Sequence, residues 1–358
     1  MSCAFDCLRP VLLVIMFGGL VLNLPGQVRS AQPSEAIVDF EPNLPMVFLE
    51  AKEPINAEPR VPCNIRMTYP KGAPAGPTGP WSGNVRIHGR LSQGFAKKSF
   101  AIGLGESVPL LGMGRHANWL LNASYIDQSL MRHKLAFDLF RSLSTPSVPR
   151  LATASRFVEV YFNGGYHGVY LLMERMDKDW LGLPPFRSNE VTHACVYKAI
   201  DHGANFASPG NGGYEQKEPD PTLLSYWKPL LDFNRFVSST SPLAFFAATN
   251  GLESRLDVNQ AIDFHLLVLL TANWDGITKN FYLARGSKND PKGRFFFVPW
   301  DYDGTFGRNW DGGRFSGHEW LSNHLFDRLL SNPEYRARYL ARWQQLRQRE
   351  FSSRPSRA

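Results

Sequence analysis

Residues 257–306 read DVNQAIDFHLLVLLTANWDGITKNFYLARGSKNDPKGRFFFVPWDYDGTF, and the expectations for the rest of the chain work outward from them. Asp257 is placed to cap a helix, with Gln260 three positions on as its capping-box partner. Behind them Ile262, Leu266, Leu269 and Leu270 recur at helical spacing. The pattern then predicts a polar loop, the strand FYLAR, the apolar strand FFFVPW and a second acidic turn.

The loop carries Asp275 and Asn280, five residues apart, and the turn after the second strand carries Asp301 and Asp303. Together they form an oxygen-only ligand set, the kind Mg2+ prefers when phosphate oxygens and waters complete its shell. The spacing D-x4-N followed by a later Asp is also the order of a protein-kinase catalytic loop and its metal site. The bland alternative is an ordinary polar loop followed by a structural turn, since such pairs arise often by chance.

The chain has 358 residues with 43% hydrophobic content, ample for a packed core of one large domain or two, which excludes a disordered protein. Residues 1–30 hold the apolar run VLLVIMFGGLVL at 11–22, behind Arg9 and ahead of Asn23, Pro25 and Val28. That run is short for a bilayer span and fits a signal peptide, so a secreted or periplasmic location with no stable membrane span is expected. Without those residues, 37 basic and 31 acidic side chains leave a charge of +6, from 39 and 32 in the whole chain. Arginine recurs on a predicted helix between Arg328 and Arg357, read as a solvated face, and no nucleic-acid partner is expected. Cys63 and Cys195 lie beyond the signal segment, and sequence separation leaves their pairing open.

Residues 31–83 read as an extended arm with the edge strand MVFLE at 46–50, then first strands around a Gly/Pro loop at 71–83. Residues 84–178 read as a β-rich lobe with one helix. In it Lys97 and Lys98 enter the strand KKSFAIGL, where alternation sends one to each face, so a cleft-facing lysine for phosphate or two solvated edge charges are both open. Asp127 is placed to cap the helix DQSLMRHKLAFDLFRSL, with Leu130, Leu135, Leu139 and Phe140 on its apolar face. Arg132 and Asp138 on it serve either structure or an ion pair toward the cleft. NGG at 163–165 is a hairpin signature, and the second strand exits at Glu174 as a crossing point between lobes. Residues 179–358 form the C-terminal lobe, with the strand HACVYKAI carrying Lys198, a Gly-rich loop without the Walker pattern, and closing helices.

Taken in order, the KKSF strand, the block LLGM…NWLLNASYIDQSLMRHKLAFDLF, the VYFNGGYHGVYLLMERMD hairpin, WDGITKN and PWDYDGTFG resemble the CotH kinase family of secreted atypical kinases, from about residue 84 to 351. The resemblance implies an α+β, two-lobed atypical kinase fold and ATP- and Mg2+-dependent phosphoryl transfer to a Ser/Thr hydroxyl of a protein substrate. It implies Asp275 as catalytic base, Asn280 and Asp301 as metal ligands with Asp303 a second candidate, and Lys98, or else Lys97, on the nucleotide phosphates. It further implies the exit strand with Glu174 and Met176 as the hinge that meets adenine. The chain departs from the family in having His88-Gly89-Arg90-Leu91-Ser92 where Arg-Gly-Asn-Ser is usual, in lacking a G-x-G-x-x-G loop, and in stopping soon after NPEYRARYLARWQQL. Competing expectations are a kinase-fold scaffold or binding module without turnover, nucleotidyl or amino-acyl transfer on the same fold, and a glycoside hydrolase using two of Asp275, Asp301 and Asp303.

Overall fold

VPCNIRMT alternates buried and exposed along its length, so Val61, Cys63, Ile65 and Met67 line one face of the second strand while Asn64 and Arg66 turn outward. The same alternation through seven strands builds the first half of the molecule. The computed structural model describes residues 43–72, 76–146, 148–184, 194–286, 293–315 and 319–351; the expected signal peptide lies outside them.

The strands are β1 (Met46–Ala51), β2 (Val61–Thr68), β3 (Trp81–His88), β4 (Ser99–Pro109), β5 (Arg115–Asn122), β6 (Ser155–Phe162) and β7 (Gly165–Glu174). They close into a barrel in the order β1-β2-β3-β4-β5-β7-β6. The closing step is a parallel pairing of β1 with β6, with Val47 opposite Val160. The segment expected as an edge strand therefore has neighbours on both sides, because closure removes edges. Leu49, Val85, Ile102, Trp119, Val158 and Leu172 fill the interior. At Gly83 a Cβ would stand 2.2 Å from the Gly103 carbonyl oxygen, so only glycine lets β3 and β4 approach so closely there. The hairpin turn is as expected, with Asn163 and Gly164 at φ 46° and 82° between β6 and β7.

A second, antiparallel sheet runs β11-β10-β8-β9, from β8 (Cys195–Ala199), β9 (Tyr214–Glu218), β10 (Phe281–Arg285) and β11 (Phe296–Pro299). The helices are α1 (Arg132–Ser142), α2 (Lys178–Leu181), α3 (Lys228–Ser239), α4 (Pro242–Phe245), α5 (Val258–Thr271), α6 (His324–Ser331) and α7 (Pro333–Gln348). The architecture is α+β, as expected. None of these helices is long and apolar enough to cross a membrane.

In α5 the Asp257 carboxylate accepts from the Gln260 amide at 3.0 Å, the predicted cap. The Gln260 side chain does not complete a capping box. It donates to the Phe297 carbonyl and accepts from the Phe297 amide at 2.9 Å, clasping α5 to β11. Helix α1 begins four residues later than expected, because Asp127 accepts from the Ser129 and Arg132 amides at 3.0 and 2.9 Å and holds a turn, with Leu130 at φ 57°. Its buried face is His133, Ala136, Phe137 and Phe140 rather than the expected leucines, and Leu135 is exposed. Arg132 pairs with Asp127, and Asp138 with Lys134 and Arg141, so both of the open charges are structural.

The arginines of α7 are mostly committed to the fold. Arg342 meets the Asp263 carboxylate at 2.6 Å and Arg150 meets it at 2.7 Å, with Asp263 fully buried on α5. Removing one partner of a buried charge triad strands the others, so Asp263→Ala is expected to lower unfolding free energy by about 3–5 kcal/mol in urea titration. A loss below about 1 kcal/mol would mean the triad is not holding α5 and α7 together.

His265 is buried, with its ring stacked 4.1 Å from Phe326, Nε2 at 2.7 Å from the Leu321 carbonyl and Nδ1 at 3.0 Å from the Tyr339 hydroxyl. Burial pushes it down to about 4 from an ordinary 6.5, against the opposing pull of the Leu321 carbonyl and Asp327. The folded chain thus stays neutral at His265 where the unfolded chain takes up a proton. Its contribution is complete above pH 6.5 and is lost as pH falls toward 4, on the order of 3 kcal/mol. His265→Gln should flatten that part of the stability curve, read from denaturant midpoints at pH 7.5 and 4.5; equal slopes in the two proteins would exclude this role. Cys63 and Cys195 are both free and buried, on β2 and β8, and burial pushes each thiol up to about 11.

Candidate active site

The chain leaves α5 through Ala272, whose φ of 49° turns it back sharply. Asn273 then accepts from the Gly276 amide at 2.9 Å, and a Cβ on Gly276 would meet the Asn273 side chain at 2.5 Å, so this tight turn needs its glycine. Asp275 opens the turn. Its backbone carbonyl accepts from the Lys279 amide at 2.9 Å, and its Oδ2 lies 3.0 Å from the Lys279 ammonium. His202, from the Gly-rich loop, reaches within 3.6 Å of Oδ1 and is itself braced by Thr278 at 2.7 Å. Oδ1 is buried and takes no hydrogen bond among the described residues.

Asn280 follows at φ 58°, its amide donating to Ala199 on β8 at 3.2 Å and its carbonyl accepting from Trp300 at 3.0 Å. That pair of bonds carries the sheet register one step past its last rung, where Phe281 stands opposite Ala199 and Pro299. It sets Asn280 next to the start of the acidic turn. Asp301 is at φ 59°. Of the nine non-glycine residues with positive φ among the described residues, Ala272, Asn280, Asp301 and Phe306 lie in this short region, and such concentrated backbone strain marks sites shaped for function. The Asn280 side chain makes no hydrogen bond to a described residue.

Asp301 is solvent-exposed, although protein packs closely around its carboxyl. Burial raises its pKa, Lys198 and a hydrogen bond with Asp303 work against that rise, and Asp275 adds repulsion. Asp303 is raised further, by burial and then by the charge and hydrogen bond of Asp301. The two carboxyls therefore work against each other's charge, a conflict that a divalent cation would relieve. Among the described residues no three His, Cys, Asp or Glu side chains converge as a protein-only metal cage. Two carboxylates and an amide, completed by waters and phosphate oxygens, fit Mg2+ without one.

The lysines behave differently from expectation. The Lys98 ammonium donates to the carbonyls of Gln93 and Phe95, both at 2.5 Å. Lys97 donates to the Val169 carbonyl and lies 4.3 Å from the Tyr170 ring centroid. Neither makes a contact with the acidic turn. The cation beside Asp301 is Lys198, half-buried on β8, with its ammonium 5.6 Å from the Tyr282 ring and 5.5 Å from Trp300. The sequence signal for it was a single lysine in an otherwise apolar strand; for Lys279 it was position, between Asp275 and Asn280.

Glu174 is a buried anchor. Its carboxylate accepts from the Gly114 and Ala154 amides at 2.9 Å and the Trp180 indole at 2.8 Å, with His116 at 3.4 Å. Burial opposes its charge, yet those donors hold its carboxyl below the usual range. Its side chain is thus taken up by the fold. Met176 packs against the second sheet with Leu181, Val196, Tyr282 and Val298, on the face where Lys198 and Trp300 also lie.

Fold and site together define an α+β protein with a carboxylate centre at the end of a four-stranded sheet beside a closed barrel. The model of the family described as CotH kinase protein matches residues 85–357, and the chain belongs to that family. It is 29% identical over 270 residues to the inner spore coat protein H of Bacillus subtilis (strain 168), covering 72% of this chain and 68% of that one.

Proposed function

We propose that the chain is an exported, ATP- and Mg2+-dependent kinase-like transferase that moves a phosphoryl group to a Ser/Thr hydroxyl of a protein substrate. The barrel and the second sheet with its helices are then the two lobes of an atypical kinase. The observation that carries the reading is the unbonded Oδ1 of Asp275, whose charge acts on Asp301 in the closely spaced carboxyl pair Asp301 and Asp303. Export is supported by the apolar run at 11–22 and by a relative whose name places it in a spore coat.

Asn280 and Asp301, with Asp303 behind them, would hold Mg2+, which when bound neutralises charge on the phosphates. Asp275 accepts the acceptor hydroxyl's proton at Oδ1, the one carboxylate oxygen left without a donor. Lys279 on Oδ2 and His202 near Oδ1 keep the carboxylate oriented. Lys198 takes the cationic role that position in sequence suggested for Lys98 or Lys97, and Met176 contributes the apolar wall of the nucleotide's base. The test is incubation with γ-labelled and α-labelled ATP, with and without Mg2+, followed by mass spectrometry of the product. Mg2+-dependent γ-label on protein supports phosphoryl transfer. Retained α-label means nucleotidyl transfer, and no label with nucleotide still bound means a binding module; either result overturns the proposal.

A further inference from the structure

Three arginines gather on the outer face of the barrel where it approaches Lys198. Val61 of β2 pairs with Val85 of β3, so Arg60 and Arg86 occupy the next rung of the same ladder. Val85 is fully buried inside the barrel, and alternation therefore turns Asn84, Arg86 and His88 outward. The Arg60 guanidinium donates to Asn84 Oδ1 at 2.6 Å, which brings it onto that same face. Arg175, at the exit of β7, is anchored by its backbone amide on the Asn118 carbonyl at 3.4 Å, while its guanidinium makes no hydrogen bond or ion pair among the described residues. Like charges on neighbouring rungs repel unless an acid or a ligand answers them.

The acids present do not suffice. Glu58 meets Arg86 at 3.3 Å, but its side chain is 71% exposed. Lys198 is answered by Asp301 and by Glu215, its cross-strand partner on β9. No carboxylate forms an ion pair with Arg60 or Arg175 among the described residues. His88 sits within the field of Lys198, Arg86, Arg175 and Arg60; burial and then those charges push it down to about 3, so its ring is neutral. A neutral imidazole among four cations adds a hydrogen-bonding group without adding to the repulsion.

We infer that Arg60, Arg86 and Arg175, continuing from Lys198, form a recess for a polyphosphate, occupied in the working protein by the phosphate chain of its nucleotide. Naming a nucleotide rests on the proposed function; the anion recess itself does not. Planar guanidinium groups pair with phosphate oxygens in a forked geometry, and a chain of three phosphates would span from the arginines toward Lys198 and the acidic turn.

The probe is inorganic tripolyphosphate, titrated calorimetrically into the full chain in Mg2+-free buffer with chelator. Saturable binding by the unaltered chain is expected, weakened about tenfold by Arg175→Ala and further by Arg60→Ala with Arg86→Ala. Arg60→Lys with Arg86→Lys should retain part of it, which guards against a folding defect in the alanine pair. Arg235→Ala, on the exposed side of α3, removes the same charge elsewhere and should leave binding unchanged. No saturable binding by the unaltered chain, or equal binding by Arg175→Ala and the alanine pair, would overturn the recess. Tripolyphosphate held through these arginines by a chain that transfers no label would sustain the recess while the transfer reading fails. Label transfer by a chain whose arginine variants bind as the unaltered protein does would do the reverse.

Discussion

Asp301→Asn is expected to abolish Mg2+-dependent label transfer and to weaken Mg2+-nucleotide binding by about a hundredfold or more, without loss of stability. Asparagine is the informative replacement because the position sits at φ 59°, a conformation that Asn adopts at less cost than Ala. Stability should hold or rise, since the native carboxyl is raised by burial and by Asp275, and removing its charge ends that conflict with Asp303. Calorimetry with and without Mg2+ and a thermal melt separate the two effects. The sign with pH follows from the same pair. Both carboxyls are raised, and a cation needs them deprotonated, so nucleotide binding in Mg2+ should decline as pH falls through the acidic range, while binding in chelator should not. Full activity in purified Asp301→Asn would refute the assignment.

Asp275→Asn should behave in the opposite way. Nucleotide affinity is expected to stay within about twofold, while single-turnover transfer falls by about 10²- to 10⁴-fold, the usual worth of a general base. The distinction follows from position: the Asp275 carboxylate is held by Lys279 and His202, and its open oxygen Oδ1 is the one left to meet an acceptor hydroxyl. A fall in nucleotide affinity equal to the fall in rate would make Asp275 a binding residue instead. The two substitutions together thus separate holding the nucleotide from activating the acceptor.

Where sequence reading succeeded, the determinants were local. The Asn163-Gly164 turn, the Asp257 cap and the strands at 281–285 and 296–299 each depend on residues within a few positions. Gln260 shows where local reasoning stops. The capping-box pattern was present, but the side chain had a better pair of backbone partners in β11, 37 residues away. The same holds for α1, whose start was moved by a carboxylate preferring a turn to a helix cap. At the site, Lys97 and Lys98 had the right charge and strand position, yet which acceptor an ammonium meets depends on what folds beside it. For Lys97 that is the Val169 carbonyl, 72 residues on.

By itself the sequence determined an α+β chain of the CotH kinase family, with its acidic residues concentrated in the loop and turn that flank two short strands. Only the tertiary structure decided that the first seven strands close on themselves, since the Val47 and Val160 rungs meet across more than a hundred residues and no local pattern encodes a parallel pairing of that range. It also decided which cation faces Asp301. Lys198 reaches that position because β8 lies beside β10 in the sheet, and cross-strand neighbours are set by register, which the hydrophobic pattern of any one strand leaves free.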